Sequence, residues 1–251
     1  MLSDDELLRY SRQILLSEID LAGQEKLRAA SVLIVGAGGL GTPASLYLAG
    51  AGVGKLLLVD DDHVEQSNLQ RQIAFRQNDV GNGKAVALAA QLLSLNPGVD
   101  VVPIGQRADA ALLADYLPEV DVVLDCSDNF ATRSMINRAC VQWHKPLVSG
   151  AAIQFAGQLV AFDLRDHSSP CYHCVYGDGD GVERDTLCSE SGILGPVVGI
   201  VGAAQALEAI KLICGLPLSG RLHLFDGACF EWRSLAIKQD RNCSVCSVRE
   251  R

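Results

Sequence analysis

Between Val32 and Ala151 the chain alternates short, nearly continuous apolar runs with longer stretches whose apolar positions recur at helical spacing. The runs Val32–Val35, Lys55–Val59, Val101–Ile104, Val120–Cys126 and Leu147–Ala151 read as strands buried on both faces. Helices are expected between them at Thr42–Gly52, Gly83–Leu95, Ala110–Leu117 and Thr132–Trp143. This alternation predicts a parallel sheet covered on both sides. Ahead of it, Ser3 and Glu6 form a capping-box pattern that opens a helix to about Leu16, and a short helix follows at Gln24–Ala29.

After Gly150 the pattern changes. Gln158–Phe162 reads as a strand, and residues 175–190 are rich in Gly, Asp and Glu, which predicts a mobile loop. Ile193–Cys214 is apolar, but its uncharged stretch ends at Leu207, too short for a hydrocarbon layer of ~30 Å. With Gly195, Gly199 and Gly202 it reads as a closely packed core helix. Leu222–Phe225 and Trp232–Ile237 are expected to extend the sheet with antiparallel strands. The fold class is therefore α/β: a Rossmann-like, mostly parallel sheet with antiparallel strands added. One domain, 1–251, is expected, made of N-terminal helices (1–30), a nucleotide-binding half (31–152) and a second half (153–251).

Composition narrows the partners. Of 251 residues, 49% are hydrophobic and 20% charged, as in a soluble globule, and a net charge of −9 argues against nucleic acid. The opening Met-Leu-Ser-Asp-Asp-Glu lacks a signal-peptide pattern, so a reducing cytoplasm and no membrane are expected for the nine cysteines. Cys171-x-x-Cys174 and Cys243-x-x-Cys246 are two knuckles whose four thiolates suit a closed, structural zinc site. Two disulfides, or two unrelated thiol pairs, are the alternatives. A zinc would pin the C-terminal tail to the body. His173, inside the first knuckle, is expected to stand by. Cys126, Cys140, Cys214 and Cys229 lie in or beside apolar elements and are expected to be buried and unreactive.

A second constellation concerns a nucleotide. Gly36-x-Gly38-x-x-Gly41 follows a strand and opens a helix, and Asp60 closes the next strand, followed by Asp61 and Asp62. Glycines there let a phosphate approach the backbone, and the carboxylate suits ribose hydroxyls. Asn68, Leu69, Gln70, Arg71 and Gln72 come next, and Lys84 opens a further helix. Two cations and several amides suit a triphosphate undergoing phosphoryl or nucleotidyl transfer. Asp128, at the carboxyl edge of the sheet, would face those phosphates through magnesium.

Arg9-Tyr-Ser-Arg12-Gln13, Gly36-Ala-Gly-Gly-Leu-Gly41, Ser67-Asn-Leu-Gln-Arg-Gln72, Asp125-Cys-Ser-Asp128-Asn129 and the two knuckles together resemble the MoeB and ThiF adenylyltransferases, relatives of the ubiquitin-activating enzymes. The resemblance runs over nearly the whole chain. It implies that the C-terminal Gly-Gly carboxylate of a ubiquitin-like sulfur carrier attacks the α-phosphorus of ATP, giving an acyl-adenylate and pyrophosphate for thiamine or molybdopterin synthesis. It places Gly39 at phosphate and Asp60 at ribose. Asn68, Arg71 and Lys84 fall on the phosphates, and Asp128, beside Asn129, on magnesium. Arg12 would reach the triphosphate of the other subunit of a homodimer, and residues 153–251 would receive the carrier. Cys188 stands where the family keeps a cysteine that can link to the carrier during sulfur transfer. No rhodanese-like segment follows the second knuckle, so the sulfur is expected from a separate donor such as a cysteine desulfurase. A nicotinamide-dependent oxidoreductase, or a zinc-stapled nucleotide-binding module without chemistry, are the competing readings.

Overall fold

The computed structural model describes residues 2–177 and 191–247. Eight strands form one sheet in the order β3-β2-β1-β4-β5-β6-β7-β8. They are β1 Ser31–Val35, β2 Lys55–Val59, β3 Asp100–Ile104, β4 Val122–Asp125, β5 Leu147–Ile153, β6 Ala156–Phe162, β7 Arg221–Asp226 and β8 Glu231–Ala236. The first five pair in parallel, with Val32 opposite Leu56 and Val122, and β7 and β8 add antiparallel, as the patterns predict; β6, expected only as a strand, is antiparallel too.

The helices are α1 Asp4–Arg9, α2 Ser11–Ile14, α3 Asp20–Ala29, α4 Gly41–Ala51, α5 Lys84–Leu95, α6 Ala110–Tyr116, α7 Phe130–Gln142, α8 Tyr172–Tyr176 and α9 Gly195–Cys214. Side chains alternate along each strand. Val32, Ile34, Leu56 and Leu58 therefore join one core with α3, α4, α5 and α9, while Leu33, Val35, Leu57 and Val59 join the opposite core with α6, α7 and the cysteine knuckles. Both faces of the central strands are buried, which is why these strands read as continuous apolar runs.

Some expectations need correction. The first helix does not run to Leu16: its capping box forms as predicted, but it breaks at Tyr10. Tyr10 is buried there, and its hydroxyl accepts a hydrogen bond from Asn96 Nδ2 at 2.8 Å, a tertiary contact that overrides local propensity. α3 begins at Asp20, whose carboxylate accepts from the N–H groups of Ala22 and Gly23. Cys126, Cys140 and Cys214 are buried, but Cys229 is exposed because it occupies the turn between β7 and β8. α8, inside the first knuckle, has no apolar periodicity to announce it. By length and composition α9 could cross a membrane. Instead it packs against α4 and the sheet, and its polar Gln205 and Glu208 are buried with it. The expected loop 175–190 lies largely outside the described residues.

Candidate active site

Strand order reverses between β1 and β4, and at such a switch point the loops beyond the strand ends diverge and leave a crevice. A cavity of about 870 Å³ opens there, lined by residues that follow β1, β2, β3 and β4 in turn. The glycine loop after β1 is tightly made. A Cβ at Gly41 would lie 1.9 Å from the Gly36 carbonyl oxygen, and Gly36 has φ of +100°, so both positions depend on glycine. Gly36, Gly38 and Gly39 face the cavity, whereas Gly41 closes the turn behind it and does not line it.

Asp60 sits at the end of β2. Its two carboxylate oxygens accept from Ala37 N at 2.7 Å and Asp62 N at 2.9 Å, which locks the glycine loop to the second strand. Burial pushes its carboxyl above the ordinary value, against the pull of those two backbone groups and of Lys84. Lys84 is itself buried and donates to Asp62 Oδ2 at 2.8 Å, an ion pair between a sheltered ammonium and an exposed carboxylate. Asn68 Oδ1 accepts from Glu65 N, and Arg71 Nη1 donates to the Ser67 carbonyl at 3.1 Å. Asp60, Asp62, Asn68, Arg71, Gln72 and Lys84 all line the cavity.

The opposite wall follows β4. Asp125 is buried and accepts from the Ser127 hydroxyl at 2.6 Å and the Ser149 hydroxyl at 2.8 Å, fixing the turn that carries Asp128. Gln205 of α9 donates to the Asp125 carbonyl at 2.8 Å, tying the buried helix to the same turn. Asp128 is exposed on the wall, and Asn129 caps α7 by accepting from Thr132 N. Arg133, one turn into α7, donates to the Ser127 carbonyl at 2.8 Å and also lines the cavity, as does Arg107. Neither arginine was singled out from sequence: Arg133 is legible only once Asn129 is known to start a helix, and Arg107 carries no motif.

Not every expected residue reaches this wall. Ser67 is engaged with Glu65, Leu69 packs on the core and the Gln70 carbonyl abuts Gly195, so these three turn away from the cavity. Arg12, exposed on α2, does not line the cavity of its own chain. Cys188 lies outside the described residues.

On the face of the sheet that carries α6 and α7 the two knuckles meet, and Tyr172 and Tyr176 of the first knuckle's helix also line the cavity. The four sulfurs of Cys171, Cys174, Cys243 and Cys246 lie within 4.8 Å of one another, and the thiols are free rather than disulfide-bonded. Each sulfur accepts an N–H: Asn137 Nδ2 to Cys171, Asp240 N to Cys174, Cys246 N to Cys243 and Gln239 Nε2 to Cys246. Such donors favour thiolates and orient them toward a metal. Hydrogen bonding from Cys171 lowers the Cys174 thiol, while the same contact and burial push Cys171 up. Four sulfurs at this spacing, with no position left for water, form a donor set that can hold one tetrahedral ion. His173 bonds Ser244 instead of joining them.

The family model described as the ThiF family matches residues 10–247, from the break after α1 to the second knuckle. The chain belongs to the ThiF family. The sulfur carrier protein ThiS adenylyltransferase of Escherichia coli (strain K12) is 48% identical over 246 residues, covering 98% of this chain and 97% of that relative. The adenylyltransferase and sulfurtransferase MOCS3-1 of Drosophila pseudoobscura pseudoobscura is 47% identical and covered over 99% of this chain, but the chain spans only 55% of its length. Among solved structures, E. coli MccB with ATP superposes with a TM-score of 0.83 at 28% identity, covering 95% of this chain and 74% of that one. ThiF-family membership bears out the resemblance read from the motifs, and the glycine loop, the Asn68–Gln72 segment, Asp128 and both knuckles all fall inside the matched span.

Proposed function

We infer that this chain is an ATP-dependent adenylyltransferase acting on the C-terminal glycine carboxylate of a ubiquitin-like sulfur carrier protein, serving thiamine or molybdopterin synthesis in the cytoplasm. The observation that carries the reading is one cavity in which Arg71, Lys84 and Asp128 surround the glycine loop. Hydride transfer would have no use for that set.

The reaction needs no general base, because a carboxylate is already ionised at neutral pH. A carboxylate oxygen of the carrier bonds to the α-phosphorus of ATP, and the bond to the β-phosphate oxygen breaks, releasing pyrophosphate with its electron pair. Two anions must be brought together, so positioning and charge stabilisation carry the rate. Gly39 admits the phosphates to the backbone, Asp60 takes the ribose hydroxyls, and Asn68, Arg71 and Lys84 hold the polyphosphate. Lys84 exchanges its Asp62 partner for phosphate oxygens without leaving its sheltered position. Magnesium, held at Asp128 beside Asn129, would neutralise phosphate charge, as a single carboxylate with substrate oxygens suffices for that ion. Arg12 completes the site of a second copy in a homodimer.

Zinc is the ion assigned to the four cysteines, with a structural duty. Transfer of sulfur to the activated carrier draws on a separate donor, such as a cysteine desulfurase, and Cys188 is the candidate for a covalent link to the carrier. The test is exchange of labelled pyrophosphate into ATP with purified carriers ending in Gly-Gly. Exchange that requires an intact carrier tail supports the reading. No exchange with any such carrier, from protein that binds ATP, would refute it.

A further inference from the structure

Gln72 stands out within the cavity because part of its side chain has nothing to do. It is 3% exposed, yet its Oε1 has no hydrogen-bond partner among the described residues. Its Nε2 lies 3.5 Å from where a Cβ on Gly38 would project, which sets the amide against the glycine loop. The residue is not slack: its backbone N–H donates to the Asn68 carbonyl at 2.9 Å, one turn back. A buried acceptor left unmet is destabilising. Its persistence here points to a donor that arrives with a ligand.

ATP supplies few candidates for that donor. Phosphate oxygens only accept. The ribose hydroxyls belong to Asp60 in the reading above. The base amine belongs on the other side of the ribose, because the cavity wall follows the strand ends in the order β3, β2, β1, β4. The glycine loop follows β1, so moving outward past Asp60 leads to Gln106 and Arg107 after β3, away from Gln72. What must reach the glycine loop besides phosphate is the peptide whose carboxylate attacks it.

We propose that the Gln72 side-chain oxygen accepts a hydrogen bond from the peptide N–H of the last glycine of the carrier's tail, making Gln72 a specificity-determining residue that reads the tail's main chain. A primary amide carries an acceptor and donors side by side, so it can face a peptide group much as a neighbouring strand does. The acceptor is unmet with ATP alone and met when the tail enters, so its contribution appears in carrier affinity and not in ATP affinity. A glycine tail suits this contact, since no side chain stands between the peptide and the wall. The inference rests on the adenylation reading.

The experiment compares a carrier of native tail with one in which the last glycine is replaced by glycolate, an ester that lacks this N–H, using wild type and Gln72→Met in pyrophosphate exchange. With wild type the ester tail should raise the KM for carrier about tenfold, while the KM for ATP stays within about twofold. Gln72→Met should raise the carrier KM similarly with the native tail and show little further loss with the ester. An unchanged carrier KM for wild type with the ester tail would overturn the proposal, whatever the variant does. So would equal, independent losses from ester and variant, or a Gln72→Met defect confined to ATP, which would give the amide to water or to the base. Absence of any carrier-dependent exchange by wild type would instead sink the adenylation reading, and this inference with it.

Discussion

The crevice at the strand ends and the cysteine cluster beside α7 use polar groups in opposite ways. Around the cysteines every sulfur has its N–H donor, and three of the four residues are buried. Around the crevice capacity is held in reserve: Lys84 leans on an exposed Asp62, Asp128 faces solvent, and the Gln72 oxygen has no partner among the described residues. A site that only holds the fold together does best when its bonds are complete, whereas a site that turns over must keep partners it can exchange. The contrast separates a structural centre from a reactive one before any ligand is considered.

The contrast breaks most sharply at Arg71. If its charge acts on the transferring phosphate, Arg71→Ala should slow carrier-dependent exchange ~10²-fold or more with little change in melting temperature. Near-normal turnover would remove it from the reactive side. Cys243→Ala should show the reverse pattern. Zinc binding at the four cysteines should be lost, with several kcal/mol of folding free energy, read as a Tm roughly 10 °C lower. Retained metal and an unshifted Tm would dissolve the structural side of the comparison.

Gln205 belongs to neither site but is a core residue that holds the Asp128 turn. Gln205→Leu leaves the Asp125 carbonyl short of its 2.8 Å partner, so a loss of ~1–3 kcal/mol in denaturant unfolding is expected. Its effect on exchange should be far smaller than that of Arg71→Ala.

The smallest effect concerns pH. Because burial raises the folded-state value of Asp60, ionising it opposes folding. Its favourable share of stability is complete below the unfolded carboxylate value and is lost as pH rises through the raised one. The function runs the other way, since ionised Asp60 is the better acceptor for ribose hydroxyls. ATP binding should therefore weaken as pH falls through that raised value. Titration of ATP affinity in wild type and Asp60→Asn checks this: the variant should lose that pH dependence, and an equal slope in both would assign it to another group.

What sequence made legible divides along the same line. The buried strands were readable because both faces are apolar, and Lys55–Val59 falls where its pattern puts it. The knuckles were readable because two C-x-x-C turns state their purpose locally. Tyr10 was not, because what breaks the helix there is a contact with Asn96, 86 residues away. Within the cavity, Asp60, Arg71, Lys84 and Asp128 were found through motif and order. Ser67, Leu69 and Gln70 belong to the same motif, although their side chains serve the loop's own packing. Arg107, Arg133 and the sulfur-bonding Asn137 reach their sites only through three-dimensional neighbours, which one-dimensional spacing does not record.

The most direct measurement of the central claim follows an oxygen atom. A Gly-Gly carrier with oxygen-18 in its terminal carboxylate is incubated with the protein, ATP and magnesium, and the activated tail is captured with hydroxylamine. If the carboxylate attacks the α-phosphorus, the released AMP carries one labelled oxygen and the carrier becomes a hydroxamate. Unlabelled AMP, or ADP and phosphate in its place, would contradict adenylation at this site.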